Sequence, residues 1–383
     1  MPIFLKVAWA EWCDLLKDLG VLMVLVGGTL FYAFFYPMPY SPQNADKLPI
    51  AVVDHDQSVS SREFIRMLNA TPEVQIVAYL SGQKAIQESM QRQDIYGALV
   101  IPTHFERDLS RGKMTQVDVW GNGGYILILS QVVTAASGTA SAFGTQIGLR
   151  ALSAAGLPYP EAKAKATPVA TGVFSIFNPG AGYATYVVPA VLTLIFQQTL
   201  LIAMGMRGRG VELNWPSNPY SAAFGRVLPY VVLQLFLAAV TVHWVYALYE
   251  LPHRQSLGSA LWLYTPYMLS IALLGALIGH FFKTRETALQ ILMMTSIPIL
   301  FLSGFAWPKE VIPGPLELVG NFCPSTPAIE AYLYYFQMAS TWEQVHPRWL
   351  QLWALCVLYA LCLGGAVAWR QYRSGKAQQE ASK

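Results

Sequence analysis

The stretch from Tyr183 to Met206, YATYVVPAVLTLIFQQTLLIAMGM, decides the fold. It holds 24 residues and no charge. As a helix it would reach about 36 Å at 1.5 Å per residue, enough to cross a hydrocarbon core about 30 Å thick. Five further stretches read the same way on either side of it: Leu19 to Tyr36, Val227 to Tyr249, Leu257 to Phe282, Leu289 to Trp307 and Trp349 to Trp369. The Leu289 to Trp307 stretch is short and contains Pro298. Lipid offers no partner to a free backbone group, so these stretches are predicted helices.

Composition agrees. Apolar residues make up 54% of the 383 positions and charged residues 12%, roughly half the charged share of an ordinary soluble domain. Mean hydropathy is +0.38. A net charge of +3 with no basic face argues against nucleic-acid binding. The four cysteines, Cys13, Cys323, Cys356 and Cys362, form no C-x-x-C pair and read as reduced packing residues.

With six spans both termini share one side. That side carries Lys6, Lys17, Arg207, Arg209, Arg226, Lys283, Arg285, Arg370, Arg373, Lys376 and Lys383, against Arg254, Lys309 and Arg348 in the short loops opposite. The bias predicts cytoplasmic termini. Ahead of the first span, residues 1–18 read as an amphipathic interface helix. Phe4, Ala8, Trp12, Leu15, Leu16 and Leu19 fall on one face and Lys6, Glu11, Asp14, Lys17 and Asp18 on the other. The first span covers 19–36 and is read as an uncleaved anchor, because no A-x-A pattern follows it.

Residues 37–182 differ in kind: eleven basic and eleven acidic residues, and alternating strand and helix patterns. Strands are predicted at Leu48 to Asp54, Val74 to Leu80, Ile95 to Ile101 and Gln116 to Trp120, and helices at Ser58 to Asn69, Ser81 to Gln93 and Thr103 to Ser110. A long, weakly polar helix from Tyr125 to Ala155 follows. Its Ser, Thr, Gln and Arg150 content argues against a span, and its small residues (Gly138, Ala142, Gly144, Gly148) suit either self-association or packing on the sheet. The fold class is thus a mainly α-helical polytopic membrane protein with six transmembrane helices. An extracytoplasmic α/β domain is inserted between helices 1 and 2, and the remaining helices lie in 183–383 with a cytoplasmic tail at 370–383.

The search for chemistry is sparse. There is no G-x-x-x-x-G-K-[ST], H-E-x-x-H or G-x-S-x-G. Asp54-His55-Asp56 reads as a strand-end turn rather than a metal site. Catalytic, cofactor-binding and metal residues are therefore not predicted. Polar groups within spans are functional candidates: Gln197, Gln198, Gln234 and His243 are candidate pathway-lining residues. The 207–226 loop is longer than a turn needs and suits docking of a soluble partner. In the 305–345 segment prolines break the helix repeatedly, which suggests one or two half-inserted helices on the outer side.

Ser303-Gly304-Phe305, then Pro308, Pro313 and Pro324-x-Thr326, resemble the signature of the type-two permeases of ABC exporters. The layout is similar to the subfamily with a large extracytoplasmic domain after the first span, including Val52 to Asp56 and Gly97 to Phe105. One departure is the lack of a basic residue from Tyr334 to Thr341. The resemblance implies a non-enzymatic transport subunit in a bacterial inner membrane. It would bind no cofactor of its own, with ATP and Mg held by a separate cytoplasmic ATPase chain. Its expected partners are that ATPase, a second permease subunit as homodimer or related chain, membrane lipid and a periplasmic adaptor. By analogy Glu212, Asn214, Trp215, Pro216 and Tyr220 would couple to the ATPase, and the signature residues would shape the outer gate. Apolar spans suggest a hydrophobic or amphipathic substrate. Two other classes stay open at this point: a non-transporting scaffold or receptor using the inserted domain, and a proton-coupled carrier using His243.

Overall fold

The computed structural model describes residues 3–41, 46–167, 176–178, 182–208, 218–307 and 309–381, with side chains of the last helix through Arg373. The chain divides into two compact units, Met1–Ser41 with Ile176–Lys383, and Pro42–Ser175. Among the described residues seven helices are long and apolar enough to cross a membrane. Six belong to the first unit: Leu19–Tyr40, Tyr183–Arg207, Pro219–Leu248, Leu257–Gly279, Arg285–Leu302 and Trp342–Arg373. The seventh, Ile126–Ala154, belongs to the second.

In the first unit Tyr183–Arg207 is the central helix. Most of it is buried, whereas little of Arg285–Leu302 is. Small residues set how closely its neighbours approach. A Cβ at Gly275 would lie 2.6 Å from Met204 Cβ, and one at Gly205 would lie 2.6 Å from Leu292 Cδ1. The Leu257–Gly279 and Arg285–Met294 helices thus meet the central helix at glycines. One part of the core is aromatic. Tyr264 stacks on Tyr332 at 5.4 Å, and Tyr332 stacks on Phe336 at 4.5 Å. Among the described residues three segments widen to π-helix: Met23–Gly28, Thr241–Val245 and Leu333–Gln337.

The proline-rich segment forms two short helices, Gly314–Asn321 and Ser325–Tyr332, the second running on into the π-turn. The last helix then runs unbroken over Trp342–Ala381, well past both ends of its predicted span. All four cysteines are free.

The N-terminal helix covers Ile3–Lys17, but its buried face is not the expected one. Val7, Ala8, Glu11 and Leu15 are buried, while Phe4, Leu16 and Leu19 are exposed. The placement of Glu11 on the solvated face is corrected: only 1% of it is exposed. Helical periodicity ranked it by polarity. Its burial is decided by Arg207 and Tyr230, far away in sequence, which supply the hydrogen bonds that a buried carboxylate requires.

The second unit is a four-stranded sheet in the order β2-β1-β3-β4. β1 (Leu48–Asp54) runs parallel to both β2 (Val74–Tyr79) and β3 (Gly97–Ile101). β4 (Asp118–Gly121) is antiparallel to β3. β1 is covered on both faces, which suits its β-branched run. Ile50 and Val52 join Phe64 and Phe143 in one core, and Ala51 and Val53 join Ile86 in the other. The Asp54–Asp56 turn is a capping device. Asp54 accepts from the Asp56 and Gln57 amides and from Ser61 Oγ, and Asp56 accepts from the Glu106 amide at 3.0 Å. No group of metal-binding residues occurs among the described residues.

Ile126–Ala154 lies on this sheet through Val132, Ala135, Ala136, Thr139 and Phe143. A Cβ at Gly97 would stand 2.8 Å from Val132 Cγ1. Arg150 forks onto Glu63 at 2.8 and 3.0 Å. The small-residue stripe does not make this contact: a Cβ at Gly138 or Gly144 would meet open space, and Gly148 faces Ala166.

Candidate functional site

The glutamines singled out in the sequence converge in the first unit. Gln234 Nε2 donates to Thr199 Oγ1 at 3.3 Å and to Phe196 O and Thr29 Oγ1 at 3.4 Å. Thr29 and Thr199 share a hydroxyl hydrogen bond of 2.9 Å. Gln198 Nε2 reaches Leu292 O at 3.3 Å and Thr295 Oγ1 at 3.4 Å. Gln197 Oε1 accepts from the Ser325 amide at 2.8 Å, holding the start of the Ser325–Tyr332 helix. Four stretches of chain are therefore tied to the central helix through side chains rather than through packing alone. Gln197 Nε2, Gln198 Oε1 and Gln234 Oε1 lack a partner, so this polar core has spare hydrogen-bonding capacity in an apolar setting, where such capacity is costly.

Beside it lies a cavity of about 390 Å³. Met23, Tyr32, Ile195, Gln198, Thr199 and Met293 are among its walls. It is a mostly apolar hollow with a few polar side chains, Gln198, Thr199 and Ser296 among them, the make-up expected of a site for an apolar or amphipathic molecule. The π-turn Met23–Gly28 forms part of one wall. His243 is not part of this group. It sits exposed on the π-turn Thr241–Val245, its ring edge-on to Trp244 at 5.1 Å.

The signature residues form a tight structural corner. Gly304 has φ +75°, and a Cβ there would lie 2.5 Å from Lys309 Cγ. This left-handed position requires glycine. Ser303 Oγ donates to Leu300 O at 2.6 Å and accepts from the Phe305 amide at 3.3 Å, closing the helix end. Phe305 O accepts from Tyr186 OH at 3.0 Å. Pro313 precedes the Gly314–Asn321 helix, and Pro324 precedes the next, in which Ser325 and Thr326 are buried. Pro308 lies outside the described residues.

Here sequence reading missed a residue. Glu330, in the helix that follows Pro324-x-Thr326, is paired with both Lys309 and Arg348. The lack of a basic residue from Tyr334 to Thr341 does not leave this region without cations, since two arrive from elsewhere in the chain.

A second polar cluster sits where the N-terminal helix meets the bundle. Arg207 Nε and Nη2 donate to the two oxygens of Glu11 at 3.0 and 3.2 Å, and Tyr230 OH donates to Glu11 Oε1 at 3.1 Å. Arg207 Nη1 also reaches Asp18 at 3.4 Å. Arg285 Nη1 donates to Asp18 at 3.1 Å. Burial would raise the Asp18 carboxyl, but the hydrogen bonds from Arg285 and the Val21 amide and the nearby arginine charges outweigh it and hold it below its ordinary 3.8. Arg226, with 1% of its surface exposed, donates to Gly208 O and to Ala276 O. Of the residues expected to couple to a partner, Glu212, Asn214, Trp215 and Pro216 lie outside the described residues. Tyr220 stands exposed on the short helix Pro219–Gly225, which packs against the N-terminal helix: a Cβ at Gly225 would lie 3.0 Å from Phe4 O.

Comparison with known proteins agrees with this layout. A family profile described as "ABC-2 family transporter protein" matches residues 19–363. The chain is 23% identical over 307 residues to the linearmycin resistance permease protein LnrN of Bacillus subtilis, covering 73% of this chain and 77% of that one. It is 23% identical over 205 residues to the probable multidrug ABC transporter permease YbhR of Escherichia coli, covering 51% of this chain and 54% of that one. With a multi-pass bundle and a match over most of its length, the chain belongs to the ABC-2 family of transporter proteins, the transmembrane permease components of ABC transporters, which implies cytoplasmic ATPase partners and a dimeric permease.

Proposed function

We propose that the chain is the permease of an ATP-driven exporter that moves hydrophobic or amphipathic compounds out of the cytoplasm or the inner membrane of a bacterium. The observation that carries the reading is the 390 Å³ apolar cavity with Gln198 and Thr199 in its wall, inside a bundle of this family. Its chemistry suits a largely apolar molecule with a few polar groups. Two relatives, a linearmycin resistance permease and a probable multidrug permease, point the same way by name.

In this reading six helices cross the membrane and both termini are cytoplasmic, supported by the eleven-to-three excess of basic residues in the loops. The 37–182 insert is extracytoplasmic. Ile126–Ala154 belongs with it, since its buried face completes the sheet's own core and is thereby occupied. ATP and Mg reside on the partner ATPase, which supplies the hydrolysis, and this chain binds no cofactor. The 207–226 loop, with Glu212, Asn214, Trp215, Pro216 and Tyr220, receives the ATPase, beside the N-terminal helix. The Glu11–Arg207 pair joins that helix to the central helix, whose Gln197 holds the Ser325 amide. One rigid element therefore touches both the coupling side and the signature segment. Ser303, Gly304, Phe305, Pro308, Pro313, Pro324 and Thr326 shape the outer end of the path. The second permease is either another copy or a related chain, and the insert is the surface for a periplasmic adaptor.

The test has two arms. Tagged protein purified gently from its native membrane should bring an ATPase chain with it, identified by mass spectrometry. Gln198→Leu should lower export of amphipathic dyes while leaving ATPase recovery intact. Recovery of the permease without any ATPase from several detergents would overturn the reading, as would unchanged export of every dye by Gln198→Leu.

A further inference from the structure

A second cavity, of about 340 Å³, opens where three helix ends meet. It is walled by Arg207 at the end of the central helix, by Gly208, and by Phe282, Lys283, Thr284 and Arg285 at the turn into the Arg285–Met294 helix. The described lining carries three cationic side chains, of which Arg207 is paired with Glu11 and Asp18 and Arg285 with Asp18. Asp18 touches both arginines and holds them in place. Lys283 is exposed and makes no ion pair among the described residues, so its charge is free for a ligand. Thr284 caps the Thr287 amide, so the positive end of a ten-residue helix also opens here.

The geometry points to a phosphoryl-anion site in this cavity, filled by the headgroup of an anionic phospholipid. The cavity lies at the ends of Tyr183–Arg207 and Leu257–Gly279, at headgroup depth for membrane helices, and basic pockets there suit lipid phosphates. Two further features favour a lipid over a soluble phosphate. Phe282 supplies an apolar wall beside exposed Phe281. From the cavity the Arg285–Met294 helix presents exposed Ile291, Met293 and Met294, a surface suited to acyl chains. The site is separate from the 390 Å³ cavity and shares no lining residue with it.

The experiment reads binding, so its result does not depend on the transport reading. Delipidated full-length protein in neutral detergent is titrated with dioctanoyl phosphatidylglycerol, dioctanoyl phosphatidylcholine or sn-glycerol 1-phosphate, and binding is followed by thermal unfolding. Phosphatidylglycerol should protect and phosphatidylcholine should not. Lys283→Gln should weaken phosphatidylglycerol binding about fivefold, the worth of one basic residue at a membrane surface, while Lys283→Arg retains it. Lys84→Gln, in the second unit, should change nothing. Equal protection by sn-glycerol 1-phosphate, weakened by Lys283→Gln, would uphold the phosphoryl site but overturn its lipid source. Equal protection by phosphatidylcholine, or unchanged binding in both Lys283→Gln and Lys283→Glu, would overturn the site.

Discussion

Replacing Glu11 with Ala should destabilise the helical unit although Glu11 lies outside every candidate span. The carboxylate accepts three hydrogen bonds, from Arg207 at 3.0 and 3.2 Å and from Tyr230 at 3.1 Å, and is almost fully buried. Removing one member of a buried ion pair costs about 3–5 kcal/mol, because the other charge is left uncompensated. Arg207 keeps Asp18 at 3.4 Å, so Glu11→Ala belongs near the lower end, about 3 kcal/mol. Arg207→Ala leaves Glu11 with Tyr230 as its remaining hydrogen-bond donor and should cost more, about 4 kcal/mol. The double variant should cost about 4 rather than about 7 kcal/mol, since each single change already breaks the same contact. Sodium dodecyl sulfate titration of the full chain in mild detergent, read by tryptophan fluorescence, measures all three. A cost below about 1 kcal/mol for Glu11→Ala, or additivity within about 0.5 kcal/mol, would refute the argument that this pair docks the N-terminal helix.

Other consequences concern the signature corner and pH. Gly320→Ala would place a Cβ 2.7 Å from Leu302 O. A backbone atom cannot yield as a side chain can, so thermal unfolding should show a loss of about 1–3 kcal/mol; no loss would disprove the close approach. Asp56 titrates below its ordinary 3.8: burial works to raise it, but hydrogen bonds from Ser58 and from the Glu106, His104 and Phe105 amides prevail. A depressed carboxyl contributes stability above the unfolded value that is lost as pH falls through the folded one. Hydrogen exchange in the helix Phe105–Ser110 of the full chain should therefore accelerate below about pH 4, and a flat profile to pH 2 would sink the capping role. His253, stacked on Phe336 at 4.8 Å, is pushed below its ordinary 6.5 by burial. The unfolded chain then binds the extra proton, so stability should decline as pH drops below 6.5 and recover in His253→Phe. Equal pH slopes for the two proteins would refute this.

Features that depend on local pattern could be read from the residues alone. Charge-free runs of about bilayer length locate the candidate membrane helices, and the alternating strand and helix patterns of 37–182 locate the sheet elements within a few residues. Gly304 stood out in the sequence only through the family resemblance, and its left-handed conformation came from the structure. Tertiary structure alone decided which polar residues are buried together. Glu11 and Arg207 are 196 positions apart, and Gln197 and Ser325 are 128 apart. Nothing in the neighbourhood of Glu11 separates it from Asp14, which lies exposed one turn on. Glu330 was hidden for the same reason, since both of its cations come from other segments. Likewise, apolar length made Ile126–Ala154 resemble a span, but its packing decided which face is covered. A helix period reports how residues are spaced on one face. Burying a charge depends on where its partner lies, and only the folded chain brings the two together.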